Sequence, residues 1–527
     1  MPNSKLITVL NPLGTPPKIE RVPMAPRLDT LDGKNIVIVD VNFPMTEQFY
    51  DAAINLLKEK YPKVNWVVKS KTGSFFNKQP EFWKEIKEEA DGAVVGPGHM
   101  DTLGPAVVGW CVKLEKMGVP AVPLICAITP EMEKKVAFEN GMEHMRLTFI
   151  PYEVVGTSEE RCRQILEGDD PITGIPVLDE INDCLTRQPT EVESKTGIID
   201  RTIPRLMPQD TEENLNRSFI NNGWTDYLPI VLPTEQRVAE MLKGTSRKAN
   251  ERVGKMFPST PHEAWEYTVE QVAVNAVMAG AKPDHFPVIL AIAASGETSL
   301  WSSVTSQNRM VVINGPIRNE INMNSGIGAM SPFNEANAVI GRAWTLISKN
   351  LGGGAGKAGI TYLGALGNSF NYNNICIPEN EEGLPEGWTP LHIQKGFRSN
   401  ESTASIFSGF GIIHGGSLPD KPHSQVIKNL FNGMKTYAMV SFYRGEVMGM
   451  RGVLLITPQG AEFLKEEGFQ SKETYHDWLA ENLNDPGIPK DKQLASNIDI
   501  IVVGGCIYAY APGNMHYVRT VSIDEWR

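Results

Sequence analysis

The chain has 527 residues, 41% of them hydrophobic and 21% charged, with a formal net charge of −12. This composition argues against disorder and supplies more apolar sequence than one core can use, so two or three domains are expected. No apolar run approaches the roughly 20 residues that span a bilayer, and the acidic balance weighs against nucleic acid, whose binding draws on a Lys/Arg-rich face.

Residues 1–33 read as an N-terminal extension. The first ten, from Met1 to Leu10, have one lysine and no small-residue cleavage pattern, so a cytoplasmic protein is expected. From Lys34, short β-branched runs alternate with helical patterns. They are Ile36–Asp40, Glu47–Glu59, Val64–Val68, Pro80–Glu89, Gly92–Val95, Pro105–Lys116, Val119–Ile125, Pro130–Gly141, Leu147–Val155 and Ser158–Glu167. That alternation predicts βαβ units over 34–170, in an open, mostly parallel sheet with helices on both faces. Ligands of such sheets bind beyond the carboxyl ends of the strands, where Asp40, Asn42, Gly96 to Asp101 and Ala127 to Thr129 fall.

Residues 171–227 are acidic and proline-containing but keep spaced apolar residues, which predicts a connecting segment with short helices. Residues 228–527 read as a second, mixed α/β domain. Helices are expected over Thr234–Leu242, Thr268–Ala281 and Asn334–Leu351, and strands over Met310–Ile313, Ser405–Ile413, Val453–Ile456 and Ile498–Val503.

The six cysteines, Cys111, Cys126, Cys162, Cys184, Cys376 and Cys506, are scattered singly without zinc-type spacing, so no metal site is assigned. Most read as buried thiols. The run Leu351 to Ala358 lacks the first glycine and the final hydroxyl of a phosphate loop and ends a helix, so it reads as a glycine C-cap. Hydrolase-elbow, zincin and dinucleotide fingerprints are absent from the sequence.

The most informative stretch is Val94 to Pro105, an apolar run that breaks into the turn Gly96-Pro97-Gly98-His99-Met100-Asp101-Thr102-Leu103-Gly104. With Leu114-Glu115-Lys116-Met117-Gly118-Val119-Pro120 in the same register, it resembles the signature of the UGSC-motif family. That signature runs G-x-G-D-[UC]-G-S-C-T and, after a helix, L-E-x-x-G-[IV]-P. From about Val272 onward the chain also resembles a domain of longer relatives, in Val312 to Arg318, Asn324 to Gly326, Asn337 to Ala343 and Glu379 to Glu382. The resemblance implies an α/β fold and the place of the site, and it implies no reaction. At the motif's centre this chain reads as a divergent member, because Met100 and Leu103 stand at the selenocysteine and cysteine positions. Neither can form a disulfide or a thiolate.

The turn therefore points away from thiol chemistry. His99 and Asp101 are the expected proton-handling groups, with Gly98 and Thr102 beside them; an equally available reading has these residues capping the helix. In the second domain, Glu297 sits in a hydroxyl-rich turn, and Asn314 and Arg318 follow a strand, where Arg318 suits a carboxylate or phosphate. Asn324 and Ser325 lie in a polar loop from Asn319 to Asn334 that reads either as functional or as held by Asn and Ser turns. His414 ends a strand beside glycines, and Cys506 follows two glycines after another.

The expected function is an enzyme of small-molecule metabolism. It would use non-redox, lyase or hydrolytic chemistry on a small anionic molecule in an inter-domain cleft, without nucleic acid or membrane. One alternative is a binding or partner protein that has lost an ancestral redox site. The other is a thiol- or cofactor-dependent oxidoreductase using Cys506. The cofactor stays unknown, and the oligomeric state stays open, a homo-oligomer included.

Overall fold

A computed structural model describes residues 5–72, 78–257, 263–300, 308–331, 333–353, 374–412, 416–417, 439–443, 446–482 and 498–527, with the backbone alone at 100–102, 308, 410, 416–417, 439–443, 446–451, 479–482, 512 and 514. The chain forms two compact units. One consists of Pro17–Arg201 with a return segment ending at Glu263, and the other of the residues up to Pro16 and those from Thr202 onward, apart from that segment.

The first unit is an open parallel sheet. Its elements are β1 (Asn35–Asp40), α1 (Glu47–Lys60), β2 (Asn65–Ser70), α2 (Pro80–Glu89), β3 (Gly92–Gly98), α3 (Met100–Lys116), β4 (Ala121–Cys126), α4 (Pro130–Glu139), β5 (Thr148–Ile150), α5 (Glu159–Glu167) and α6 (Val177–Thr186). The strands run in the order β2-β1-β3-β4-β5, every pair parallel. Because side chains alternate along a strand, Ile36, Ile38, Val94, Val122 and Leu124 fall on one face. There they pack with Phe49 and Leu56 of α1, Ile165 of α5 and Ile181 of α6. The opposite face meets α3, which packs on β3 and β4. A sheet covered on both faces needs the continuous Val/Ile/Ala runs seen in the sequence.

One boundary differs from the expected Pro105–Lys116. Helix α3 begins at Met100, five residues before Pro105, so the proline lies inside the helix, where it has no N–H for the carbonyl four residues back. The Leu114–Pro120 frame after it is structural: Glu115 is 3% exposed and accepts from Ala121 N at 2.8 Å, Ala25 N at 2.7 Å and Arg27 Nη1 at 2.9 Å. One carboxylate thus ties the end of α3 to the start of β4 and to the incoming chain, while Gly118 turns between them at φ +87°.

The second unit is built on an eight-stranded mixed sheet. It contains β6 (Asn308–Asn314), β7 (Ile375–Pro378), β8 (Thr403–Ile412), β9 (Met439–Tyr443), β10 (Glu446–Ile456), β11 (Ile498–Val502) and β12 (Ala509–Ser522). The order is β7-β6-β8-β12-β10-β9; the short strand Gly416–Ser417 pairs with β12, and β11 pairs with β10. Among the described strand pairs of this sheet, only β6/β7 and β10/β11 are parallel. Helices α7 (Val269–Ala279), α8 (Phe286–Ala294) and α9 (Glu335–Leu351) pack on Val311, Ile313, Ala404 and Ile406 of one face. Helix α9 ends at Leu351, and Gly353 follows at φ +81°, the left-handed geometry of a glycine cap; the rest of that glycine run lies outside the described residues.

Candidate active site

In the first unit the strand order reverses between β1 and β3, and such a switch point opens a crevice at the carboxyl ends of the two strands. The Tyr50 hydroxyl, carried by α1, spans it. It accepts from Val41 N at 3.1 Å and donates to Gly96 O at 2.7 Å, joining the end of β1 to the end of β3. Asp40 closes β1; its Oδ1 accepts from Asn42 N at 2.7 Å, and Asn42 takes the left-handed φ of +63°. This turn aims the chain back over the crevice, where Phe43 meets His99.

The glycines at the end of β3 are explained by packing. A Cβ on Gly96, at φ +152°, would stand 2.4 Å from the backbone oxygen of Leu124. One on Gly98 would stand 3.0 Å from Gly104 Cα, and one on Gly104 would stand 2.5 Å from Glu133 Oε1. Strand β3, helix α3 and helix α4 approach too closely for side chains here.

His99 occupies the N-cap position of α3, with no capping bond from its side chain. It is 6% exposed, stacked at 5.0 Å and 21° on the Tyr152 ring, with the Phe43 ring 5.2 Å away. Burial pushes its imidazole down to about 4, so the ring is neutral at pH 7. Among the described residues its buried Nδ1 has no hydrogen-bond partner. Leaving such an atom unpaired costs about 1–3 kcal/mol, which a ligand or water would relieve. Asp101 and Thr102 belong to the first turn of α3, and their side chains lie outside the described atoms.

The expected residues of the second unit fall at three places, with Asn314 and Arg318 sharing Glu379 and Glu381, Asn324 and Ser325 lying beside the Cys506 turn, and Glu297 elsewhere. Asn314 ends β6 and donates through Nδ2 to Glu379 Oε2 at 2.7 Å and to Glu381 Oε1 at 3.0 Å. Arg318, 3% exposed, gives Nε to Gly315 O, Nη1 to Glu379 O and Glu382 Oε2, and Nη2 to Glu382 Oε1, and its Nη2 also pairs with Glu381 Oε2 at 3.0 Å, so the guanidinium is engaged by the protein itself. Asn324 shapes its own loop, accepting from Gly326 N at 2.9 Å and donating to Ile327 O at 2.9 Å. Ser325 O accepts from Gly504 N at 2.8 Å, which brings the polar loop beside the Cys506 turn. Glu297 pairs with Arg519 at 3.1 Å. Cys506, at φ +71°, is exposed and lines a mostly apolar cavity of about 560 Å³ with Ile327, Met330 and Thr457; the other five cysteines are buried. His414 lies outside the described residues.

Sequence reasoning missed Tyr50, which bridges the two strand ends, and Phe43 and Tyr152, which flank His99, because only the strand order brings them to the crevice. Among the described residues there is no cluster of three His, Cys, Asp or Glu side chains placed to hold a metal ion. No described helix is long and apolar enough to cross a membrane.

The fold and crevice define an α/β protein with a parallel-sheet unit whose candidate site lies at the strand switch point. Residues 8–168, less than half of the chain, match the model of the UGSC family, and this segment is similar to that family. No curated protein and no solved structure matches the chain.

Proposed function

We propose that the chain is an enzyme of small-molecule metabolism that carries out non-redox acid–base chemistry, a lyase or hydrolytic step, on a small anionic molecule at the switch point. The observation that carries this reading is the buried, neutral His99 ring with an unpaired Nδ1 at the mouth of the crevice. An imidazole pushed down to about 4 holds a proton weakly, so it suits hydrogen bonding to a substrate oxygen on which charge develops. The positive end of α3, a helix of 17 residues, favours an anion beside it. In this proposal Asp101 is the second proton-handling group. The protein would work in the cytoplasm, and five buried free thiols agree with a reducing compartment.

The test is untargeted: the purified protein and its His99→Ala variant are each incubated with a mixture of small metabolites and followed by mass spectrometry. The proposal expects one small acid to be consumed by the wild type alone, the product differing by the elements of water or by cleavage. Equal turnover by the folded variant, or a product oxidised or reduced by two electrons, would overturn it. Retention of a ligand without turnover would favour the binding-protein reading.

A second reading rests on Cys506, the exposed thiol on a cavity wall. It predicts selective labelling of Cys506 by a dilute alkylating reagent together with loss of activity. Labelling that leaves turnover intact would rule it out.

A further inference from the structure

The second unit carries another cavity, polar and about 480 Å³ in volume, with Lys395, Lys472, His476, Asp499, His516 and Tyr517 in its wall. Its two lysines are held from behind. Lys472 is 2% exposed and sets Nζ 2.6 Å from Glu379 Oε1. Glu379 is fully buried, its other oxygen accepting from Asn314 Nδ2 at 2.7 Å and from Leu391 N at 2.6 Å. Lys395 Nζ lies 2.5 Å from Asp499 Oδ1 and 4.2 Å from the centre of the Tyr517 ring.

An ammonium has three N–H groups. Each lysine makes one carboxylate contact, and neither has a further hydrogen bond from its ammonium among the described residues, so N–H donors are left over on both. His476, on the helix Lys472–Asn482, is partly buried and makes no side-chain hydrogen bond among the described residues. Of the cavity's own acceptors, Asp499 Oδ1 is engaged with Lys395, and Glu473 Oε1 accepts from Gln394 Nε2 at 2.7 Å. Glu473 and Asp499 also line the cavity, so the wall carries acceptors as well as donors, and it is the ammonium N–H groups left over on Lys395 and Lys472 that are complementary to a ligand oxyanion. Ion pairs that already hold the ammonium groups in place reduce the ordering cost of binding, and the volume is that of a small-molecule site.

We infer that this cavity is a binding site for a small oxyanion, a phosphate or carboxylate group. Lys395 and Lys472 donate to it through their remaining N–H groups, and His476 donates through one ring nitrogen. The site is separate from the His99 crevice and does not depend on the reaction proposed there.

The experiment is isothermal titration calorimetry on the full chain with inorganic phosphate and, in parallel, succinate. It compares the wild type, Lys395→Gln, His476→Ala and, as a control, His99→Ala. Saturable binding of either anion to the wild type is expected, at least about tenfold weaker in Lys395→Gln and His476→Ala and unchanged in His99→Ala. Binding of phosphate alone assigns a phosphorylated ligand, and binding of succinate alone a carboxylate. Lys472 is left intact because its removal would strand Glu379 in the core. No saturable binding of either anion, wild-type affinity in both cavity variants, or loss of binding only in His99→Ala would overturn the inference.

Discussion

The Tyr152 ring lies over the His99 imidazole, 5.0 Å between centres and 21° from parallel, although half of Tyr152 itself stays exposed. A ring so covered resists charging. Tyr152→Ala should lift the His99 pKa from about 4 towards the ordinary 6.5, read from the imidazole resonances in an NMR titration. The sign for stability follows. With the folded value below the unfolded one, this stabilisation is complete above pH 6.5 and is lost as pH falls towards 4. Tyr152→Ala should therefore flatten that acid-side loss in urea titrations.

Gly104 and Gly96 should respond differently to alanine. At Gly104 the added carbon meets the end of the Glu133 side chain, so a loss of about 1–3 kcal/mol is expected and Glu133→Ala should recover part of it. At Gly96 it meets the backbone oxygen of Leu124 at a φ that L-residues avoid. The cost there should be about 3 kcal/mol or more, with no recovery from Glu133→Ala. Denaturant unfolding of the four variants measures both.

Glu115→Ala should cost about 3–5 kcal/mol, because it strands Arg27 in the core. Chemical denaturation checks the size. Wild-type stability would mean that the shared carboxylate does not hold α3 to β4.

Glu180 sets a second pH dependence. Burial first, then the neighbouring Asp170 carboxylate, push it up to about 8. The folded state therefore holds a proton that the unfolded chain releases near 4.5, and this stabilisation is full below pH 4.5 and lost as pH rises through 8. Glu180→Gln, which stays neutral, should be more stable than the wild type at pH 9 by about 1–2 kcal/mol and show little advantage at pH 4. Thermal unfolding across that range is the measurement.

Much of the first unit is legible locally. The expected Ile36–Asp40 and Pro80–Glu89 match β1 and α2, because an apolar run buried on both faces and a proline at the first helical position are local signals. Strand β12 is not legible, since Pro512 and Gly513 interrupt its pattern, and the fold accommodates them near register shifts against β8. The crevice is half legible: glycines and His99 mark a strand end, while Tyr50, Phe43 and Tyr152 arrive only through a strand order that no local pattern carries. The glycines of that strand end answer to neighbouring backbone and to Glu133, contacts that no local pattern shows.

The most direct test of the central claim is nitrogen NMR of His99 in protein carrying labelled histidine, recorded across pH and with the acid that the wild type consumes. The account predicts a neutral ring from pH 8 down to about 5 and a shift of Nδ1 when that acid is added. A ring that titrates near 6.5 and an Nδ1 resonance unmoved by the acid would contradict it.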